Sequence, residues 1–175
     1  TPRLRLFELW IDQGFADGRG SVLAGLYNLN SEFYVNEAAA ALIGPAFGIG
    51  SELAATGPNG PSIFPSTSLG LRLNLNLGQD AYARAAVLNA RSGVVGDPGG
   101  VDTTFGDGVL TIAEIGIARD AQFSLGAWRY SRDQDDIRDL DAVGDPAKRT
   151  AQGAYVLLQR PFMETSTGLK VTAFL

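Results

Sequence analysis

The sequence predicts an all-β fold: an antiparallel up-and-down transmembrane β-barrel, or a segment of one. Three observations carry that expectation. Ser68 to Leu77 alternates without a break, with Leu69, Leu71, Leu73, Leu75 and Leu77 on one face and Ser68, Gly70, Arg72, Asn74 and Asn76 on the other, because a strand sends successive side chains to opposite faces. Its length suits a tilted strand crossing a bilayer, which takes about 9–11 residues. Short and long connections also alternate along the chain, as in barrels with tight turns at one rim and long loops at the other.

Eight strands are expected, at about 3–15, 19–27, 67–78, 81–90, 109–118, 121–131, 152–162 and 168–175. Alternation or β-branched and aromatic content marks most of them. Asp17-Gly18 joins the first pair, and such a dipeptide is a strong hairpin signal. Gly78-Gln79-Asp80 joins the second pair, Arg119 to Ala121 the third, and Glu164-Thr165-Ser166-Thr167 the fourth. The long connections lie at about 28–66, 91–108 and 132–149. No apolar run approaches the roughly 18 residues of a membrane helix.

These turns set the register and therefore the faces. Trp10 is expected opposite Gly25, Glu8 opposite Tyr27, Asp12 opposite Leu23, Asn74 opposite Arg84 and Arg72 opposite Ala86. With a three-residue loop at 119–121, Glu114, Gly126, Trp128 and Tyr130 share a face; a one-residue slip would invert that assignment. One face is then aliphatic and the other carries Glu8, Asp12, Arg72, Arg84 and Glu114. A dry core on the charged face would bury ions at several kcal/mol each. Water on the leucine face would leave a very large apolar patch. Lipid outside and a wet lumen inside remove both problems. Arg129 falls on the apolar parity and is expected near a rim, where an outward Arg costs about 0–1 kcal/mol. The structural competitor is a soluble calyx barrel with its leucines inside.

Composition narrows the function. The chain has 175 residues, expected to form a single barrel segment, and contains neither His nor Cys. That removes Ser-His-Asp and Cys-His nucleophiles and thiolate metal sites. A net charge of −5 argues against nucleic acid. Thr1-Pro2-Arg3 is not a signal peptide and there is no initiator Met, so the chain is expected to be mature, trimmed or part of something longer. The 28–66 connection contains apolar residues and no Lys or Arg. It is expected to hold a short helix around Glu37 to Leu42, where alanines favour helix, and to fold inward and narrow a pore; an external flap is the alternative. Asp97, Asp102 and Asp107 in the 91–108 loop are weak Ca²⁺ candidates without EF-hand spacing. The 132–149 stretch, with aspartates against Arg132, Arg138, Lys148 and Arg149, reads as a solvated external loop.

Several ordered motifs resemble the carbohydrate-selective, OprB-type outer-membrane porins. They are Leu6-Phe7-Glu8-Leu9-Trp10, Ala24-Gly25-Leu26-Tyr27-Asn28-Leu29-Asn30-Ser31-Glu32-Phe33, Phe47-Gly48-Ile49-Gly50 and Asn59-Gly60-Pro61-Ser62-Ile63-Phe64-Pro65. Ala85-Ala86-Val87-Leu88-Asn89 and Ile112-Ala113-Glu114-Ile115-Gly116 look similar too. The resemblance implies a barrel of about sixteen strands in the bacterial outer membrane, of which this chain would be an interior segment lacking both ends. It implies passive, carbohydrate-preferring diffusion of small solutes, no enzyme activity and no cofactor. The partners expected are small carbohydrates, outer-membrane lipid and lipopolysaccharide, with a homo-oligomer left open.

Sugar hydroxyls want bidentate partners such as Arg, Asp, Glu and Asn, and pyranose faces want flat aromatics. Glu8, Trp10, Asp12, Arg72, Arg84, Glu114, Trp128 and Tyr130 on the lumen face meet those needs, with Asn30, Glu32 and Phe33 on the long connection. Each could instead be a structural lumen residue. A barrel with a plugged lumen and a surface-binding or structural role is the alternative function. A hydrolase built on Glu8, Asp12 or Glu114 has weak support, because lumens are rich in carboxylates.

Overall fold

The computed structural model describes residues 5–44, 47–97, 99–164 and 170–175. The expected strand beginnings before Arg5 and at 168–169, the Pro45-Ala46 dipeptide, Pro98 and the 165–167 link lie outside the described residues.

Eight strands form one sheet in chain order, each antiparallel to the next. They are β1 (Leu9–Phe15), β2 (Gly20–Tyr27), β3 (Ser68–Gly78), β4 (Ala81–Asn89), β5 (Val109–Ala118), β6 (Gln122–Leu140), β7 (Pro146–Glu164) and β8 (Lys170–Phe174). Among the described residues β1 and β8 do not pair, so the sheet stays open. At the tight end, Asp17 and Gly18 turn the chain with φ of 54° and 83°, and Arg19 N–H donates to Ala16 O at 3.1 Å. Such mirror-image turns match the twist of the flanking strands. Gln79 and Asp80 make a similar turn, with a bulge between Asn76 and Gly78.

Four of the expected pairs form: Trp10 with Gly25, Asp12 with Leu23, Asn74 with Arg84, and Arg72 with Ala86. Glu8 does not pair with Tyr27, because β1 begins only at Leu9. Glu114 stands opposite Gly126, as a 119–121 loop requires. The leucine row meets Ala83, Ala85 and Val87 on β4. Leu71, Leu73, Leu77, Ile115, Ile117, Leu125 and Val156 are exposed on one face. Side chains of opposite parity, such as Leu23, Arg72, Leu88, Ile112, Glu114 and Trp128, are buried on the other.

Two local expectations are corrected. Residues 132–149 are not a loop: β6 and β7 run on as a tall hairpin, leaving only 141–145 as its tip. The charges pair across it, Asp135 with Lys148, and Arg149 with Asp136 at 3.6 Å and Asp139 at 2.5 Å. Opposite charges facing each other favour strand pairing, so polarity alone did not mean loop. Asp141 Oδ1 closes the tip by accepting from Val143 N–H at 2.9 Å and Asp145 N–H at 3.0 Å. The alanines near Glu37 to Leu42 form only a single 3₁₀ turn, Ala39–Ala41, while the short α-helix of this connection is Ser51–Ala54. A few alanines cannot offset the cost of nucleating a helix that extended Leu42 ends at once.

The inner face also departs from a simple wet wall. The 28–66 connection lies on it and builds a buried cluster with it: Leu29, Phe33 and Leu53 pack with Leu23, Leu88, Ile112 and Tyr130. Two glycines make room for large rings there. Gly126 stands opposite Tyr155, and Gly153 opposite Trp128. A Cβ on Gly126 would overlap the Tyr155 ring, and one on Gly153 would lie 2.7 Å from Trp128 Cζ2. Gly126→Ala is therefore expected to displace Tyr155 and to cost about 1–3 kcal/mol through overpacking. The denaturation midpoint of the refolded full-length protein checks this; Gly14→Ala, whose Cβ would meet only Gly20 O at 3.9 Å, separates overlap from general sensitivity.

Candidate functional site

The inner face carries two linked ion clusters, each clamping the long connection. The first centres on Arg72 of β3, which is 4% exposed. Its Nη2 donates to Asp12 Oδ2 at 3.1 Å and to Glu32 Oε1 at 3.0 Å, and its Nη1 donates to Ser21 Oγ at 2.6 Å. Its Nε lies 2.8 Å from Glu32 Oε2. Tyr27 donates its hydroxyl to Glu32 at 2.7 Å. Asp12 and Ser21 belong to β1 and β2, Glu32 to the connection. One guanidinium thus ties the strands to the segment above them, which a planar five-donor fork can do and an ammonium cannot.

The second cluster centres on Glu114 of β5, also 4% exposed. Glu114 Oε1 accepts from Tyr82 O–H at 2.8 Å, and Oε2 accepts from Tyr155 O–H at 2.7 Å and from Tyr34 N–H at 3.2 Å. Arg84 Nε stands 3.7 Å from Oε1. The Arg84 guanidinium covers the Tyr82 ring at 4.1 Å, a cation–π distance, and Nη1 donates to Glu32 O at 2.6 Å. Tyr34 stacks on Tyr155, with ring centroids 4.0 Å apart and planes within 6°. Burial, then the hydrogen bond its hydroxyl donates to Glu52 at 2.6 Å, raises the Tyr34 hydroxyl above its ordinary pKa, so it stays neutral.

The remaining candidates take varied places. Glu8 accepts from Asn28 N–H at 2.9 Å and starts the connection. Asn30 donates to Phe33 O at 3.1 Å and Gly48 O at 3.0 Å, stapling the connection to itself. Phe33 and Tyr130 are fully buried and Trp128 nearly so. The Trp128 indole N–H is buried without a hydrogen-bond partner. Trp10 is half exposed, and Asp12, Glu32 and Arg84 keep part of their surface in solvent. Asp97, Asp102 and Asp107 have separate partners: Gly99 N–H, Thr104 and Arg91. The Thr104 hydroxyl and N–H, at 2.7 and 2.9 Å, hold the Asp102 carboxyl below the usual range. Among the described residues no three His, Cys, Asp or Glu side chains are placed to hold a metal ion.

Sequence reasoning missed Ser21, Tyr27, Tyr34, Tyr82 and Tyr155. Parity signals existed for four of them, Tyr27 among them, since it shares a face with Ser21 and Leu23. Tyr82 shares a face with Arg84, Ser21 with Leu23, and Tyr155 stands opposite a glycine on the inner face. Tyr34 lies in irregular chain, where no periodicity applies.

A lipid-suited outer face, tight turns at one end, long connections at the other and a charged inner face covered by one of those connections define the wall of a β-barrel porin. The chain belongs to the family described as carbohydrate-selective porin, OprB family, whose model matches residues 1–175. It is accordingly a bacterial outer-membrane protein of a transport-channel family. Among solved structures, the high-pH structure of Pseudomonas putida OprB matches with a TM-score of 0.69 and 18% identity, over 91% of this chain and 41% of that one. That likeness is one of fold, and the chain spans 41% of that porin's length. No curated protein matches the chain.

Proposed function

We propose that the complete protein is a passive diffusion channel that prefers small carbohydrates, with a water-filled lumen narrowed by the 28–66 connection. The observation that carries this reading is the seating of that connection on the sheet's inner face through Arg72, Arg84 and Glu114. Further strands close the barrel and complete the lumen, since eight strands alone would enclose a space filled by side chains. The groups offered to a solute are the partly exposed ones. Trp10 presents a flat apolar surface to a pyranose ring, and Asp12, Glu32 and Arg84 present acceptors and donors to its hydroxyls. The buried members, Phe33, Arg72, Glu114, Trp128 and Tyr130, hold the connection and so set the lumen's width. No bond is made or broken, and no cofactor is needed.

The full-length protein in planar bilayers is expected to give ohmic conductance, and its liposomes are expected to admit monosaccharides faster than amino acids of similar size. Absence of conductance from folded, inserted protein would favour a plugged barrel. Equal rates for sugars and amino acids would remove the carbohydrate preference and leave a general pore.

A further inference from the structure

The outer face holds charges that the channel reading does not use, Arg129 among them. Arg129 of β6 points outward and is exposed. None of the ion pairs among the described residues involves it. Its neighbours in the cross-strand row are Thr111 on β5 and Gln152 on β7, both exposed and polar. Ser131 lies two residues on, and its Oγ accepts from Val109 N–H at 2.9 Å, which leaves its own O–H free to donate. Between this row and the level of Arg160 the same face is apolar: Ala113, Ile115 and Ile117 on β5, Phe123, Leu125 and Ala127 on β6, Ala154, Val156 and Leu158 on β7.

The row therefore marks a level in the membrane. On β7 the outward positions run from Gln152 through three apolar residues to Arg160. At a rise of about 3.3 Å per residue and a tilt of about 40°, that interval spans about 20 Å of membrane normal, close to the roughly 25 Å apolar band of such barrels. Gln152 and Arg129 thus sit at one interface and Arg160 at the other. The first interface is on the side of the long connections, the outer side of the membrane in this class. A surface groove of about 450 Å³ starts at Thr111, Arg129 and Ser131. It shares Ala113 and Ala127 with a second groove of about 470 Å³, which runs on between Leu73 and Leu75 on one side and Ile115 and Leu125 on the other.

We propose that Arg129, with Thr111, Ser131 and Gln152, binds the phosphate of a phosphorylated, acylated glycolipid of the outer leaflet, and that one acyl chain of this lipid lies in the groove below. Charge complementarity selects this occupant over a second protein. A guanidinium facing a neighbouring apolar barrel would need a carboxylate at the same depth, whereas the phosphate of a phosphorylated outer-leaflet glycolipid lies at this level. The guanidinium supplies the charge-assisted pair, the hydroxyls and amide supply further donors, and the small residues leave room for a chain. The proposal rests on outer-membrane location alone and not on sugar transport.

The test uses full-length protein freed of lipopolysaccharide in detergent, with lipid binding read by native mass spectrometry. Diphosphoryl lipid A is expected to bind about fivefold more tightly than dephosphorylated lipid A, the worth of one cation at an anionic surface. Arg129→Ala is expected to remove that preference, Arg129→Lys to retain most of it, and Arg160→Ala, at the opposite interface, to leave it unchanged. Equal binding of the two lipids by the unmutated protein overturns the proposal without any variant. So does an unchanged preference in folded Arg129→Ala, or loss of the preference in Arg160→Ala.

Discussion

Glu114→Ala is expected to release the long connection from the barrel wall. The carboxylate is the common acceptor for Tyr82, Tyr155 and the Tyr34 N–H, and it faces Arg84. Removing it leaves the Tyr155 hydroxyl and the Tyr34 amide without their acceptor, the Tyr82 hydroxyl with Ser124 Oγ alone, and a half-buried guanidinium without its countercharge. Breaking a buried ion pair in this way costs about 3–5 kcal/mol, mostly from the groups left behind. The loss falls where the connection meets the wall, so its first consequence is local. Faster hydrogen exchange at Tyr34 and its neighbours, with strand amides of β4 and β5 still protected, is the expected pattern. On the proposed reading, in which the connection narrows the lumen, single-channel conductance is expected to rise. Glu114→Gln keeps one acceptor and the shape and is expected to lose less, about 1–3 kcal/mol. Unchanged exchange at Tyr34 in Glu114→Ala would show that the apolar contacts of Phe33 and Leu53 hold the connection without the cluster.

How much of this could be read in the residues depends on which physical pattern each part obeys. The strand faces were readable because lipid and the wet interior impose a two-residue period, which Leu69 to Leu77 display openly. Registers followed, since Asp17-Gly18 and the 119–121 loop fix which residues face each other. The tall β6–β7 hairpin was misread because its stabilising pairs, Asp135 with Lys148 and Arg149 with Asp139, lie far apart in sequence and look like loop charge when read along the chain. The seat of the 28–66 connection had no periodic signature at all. Its apolar content suggested an inward fold, but no local rule says that Phe33 joins one cluster with Leu88 or that Tyr34 stacks on Tyr155. Parity could place Trp128 and Tyr130 on the inner face; only the tertiary arrangement decides that the connection covers them.

Arg72→Ala is expected to be the more damaging change of the two for the folded barrel. Arg72 is the cation between Asp12 and Glu32, and it lies nearly buried on a central strand. Without it two carboxylates face each other across a vacated space, and Glu32 keeps only the Tyr27 hydroxyl. Loss of one partner from such a cluster costs about 3–5 kcal/mol, and here the remaining like charges repel as well. The damage reaches β1 and β2 through Asp12 and Ser21 and reaches the connection through Glu32, so global unfolding and local release move together. Arg72→Lys restores the charge but cannot fork to two carboxylates and a hydroxyl at once, and is expected to recover less than half of the loss. A double-mutant cycle separates charge from packing. Glu32→Gln in the Arg72→Ala background is expected to recover stability, because it removes the repulsion, whereas alone it is expected to destabilise. Denaturation midpoints of the four refolded full-length proteins measure this coupling. Additive losses would mean that Arg72 acts through the packing of its stem on the wall rather than through the two carboxylates.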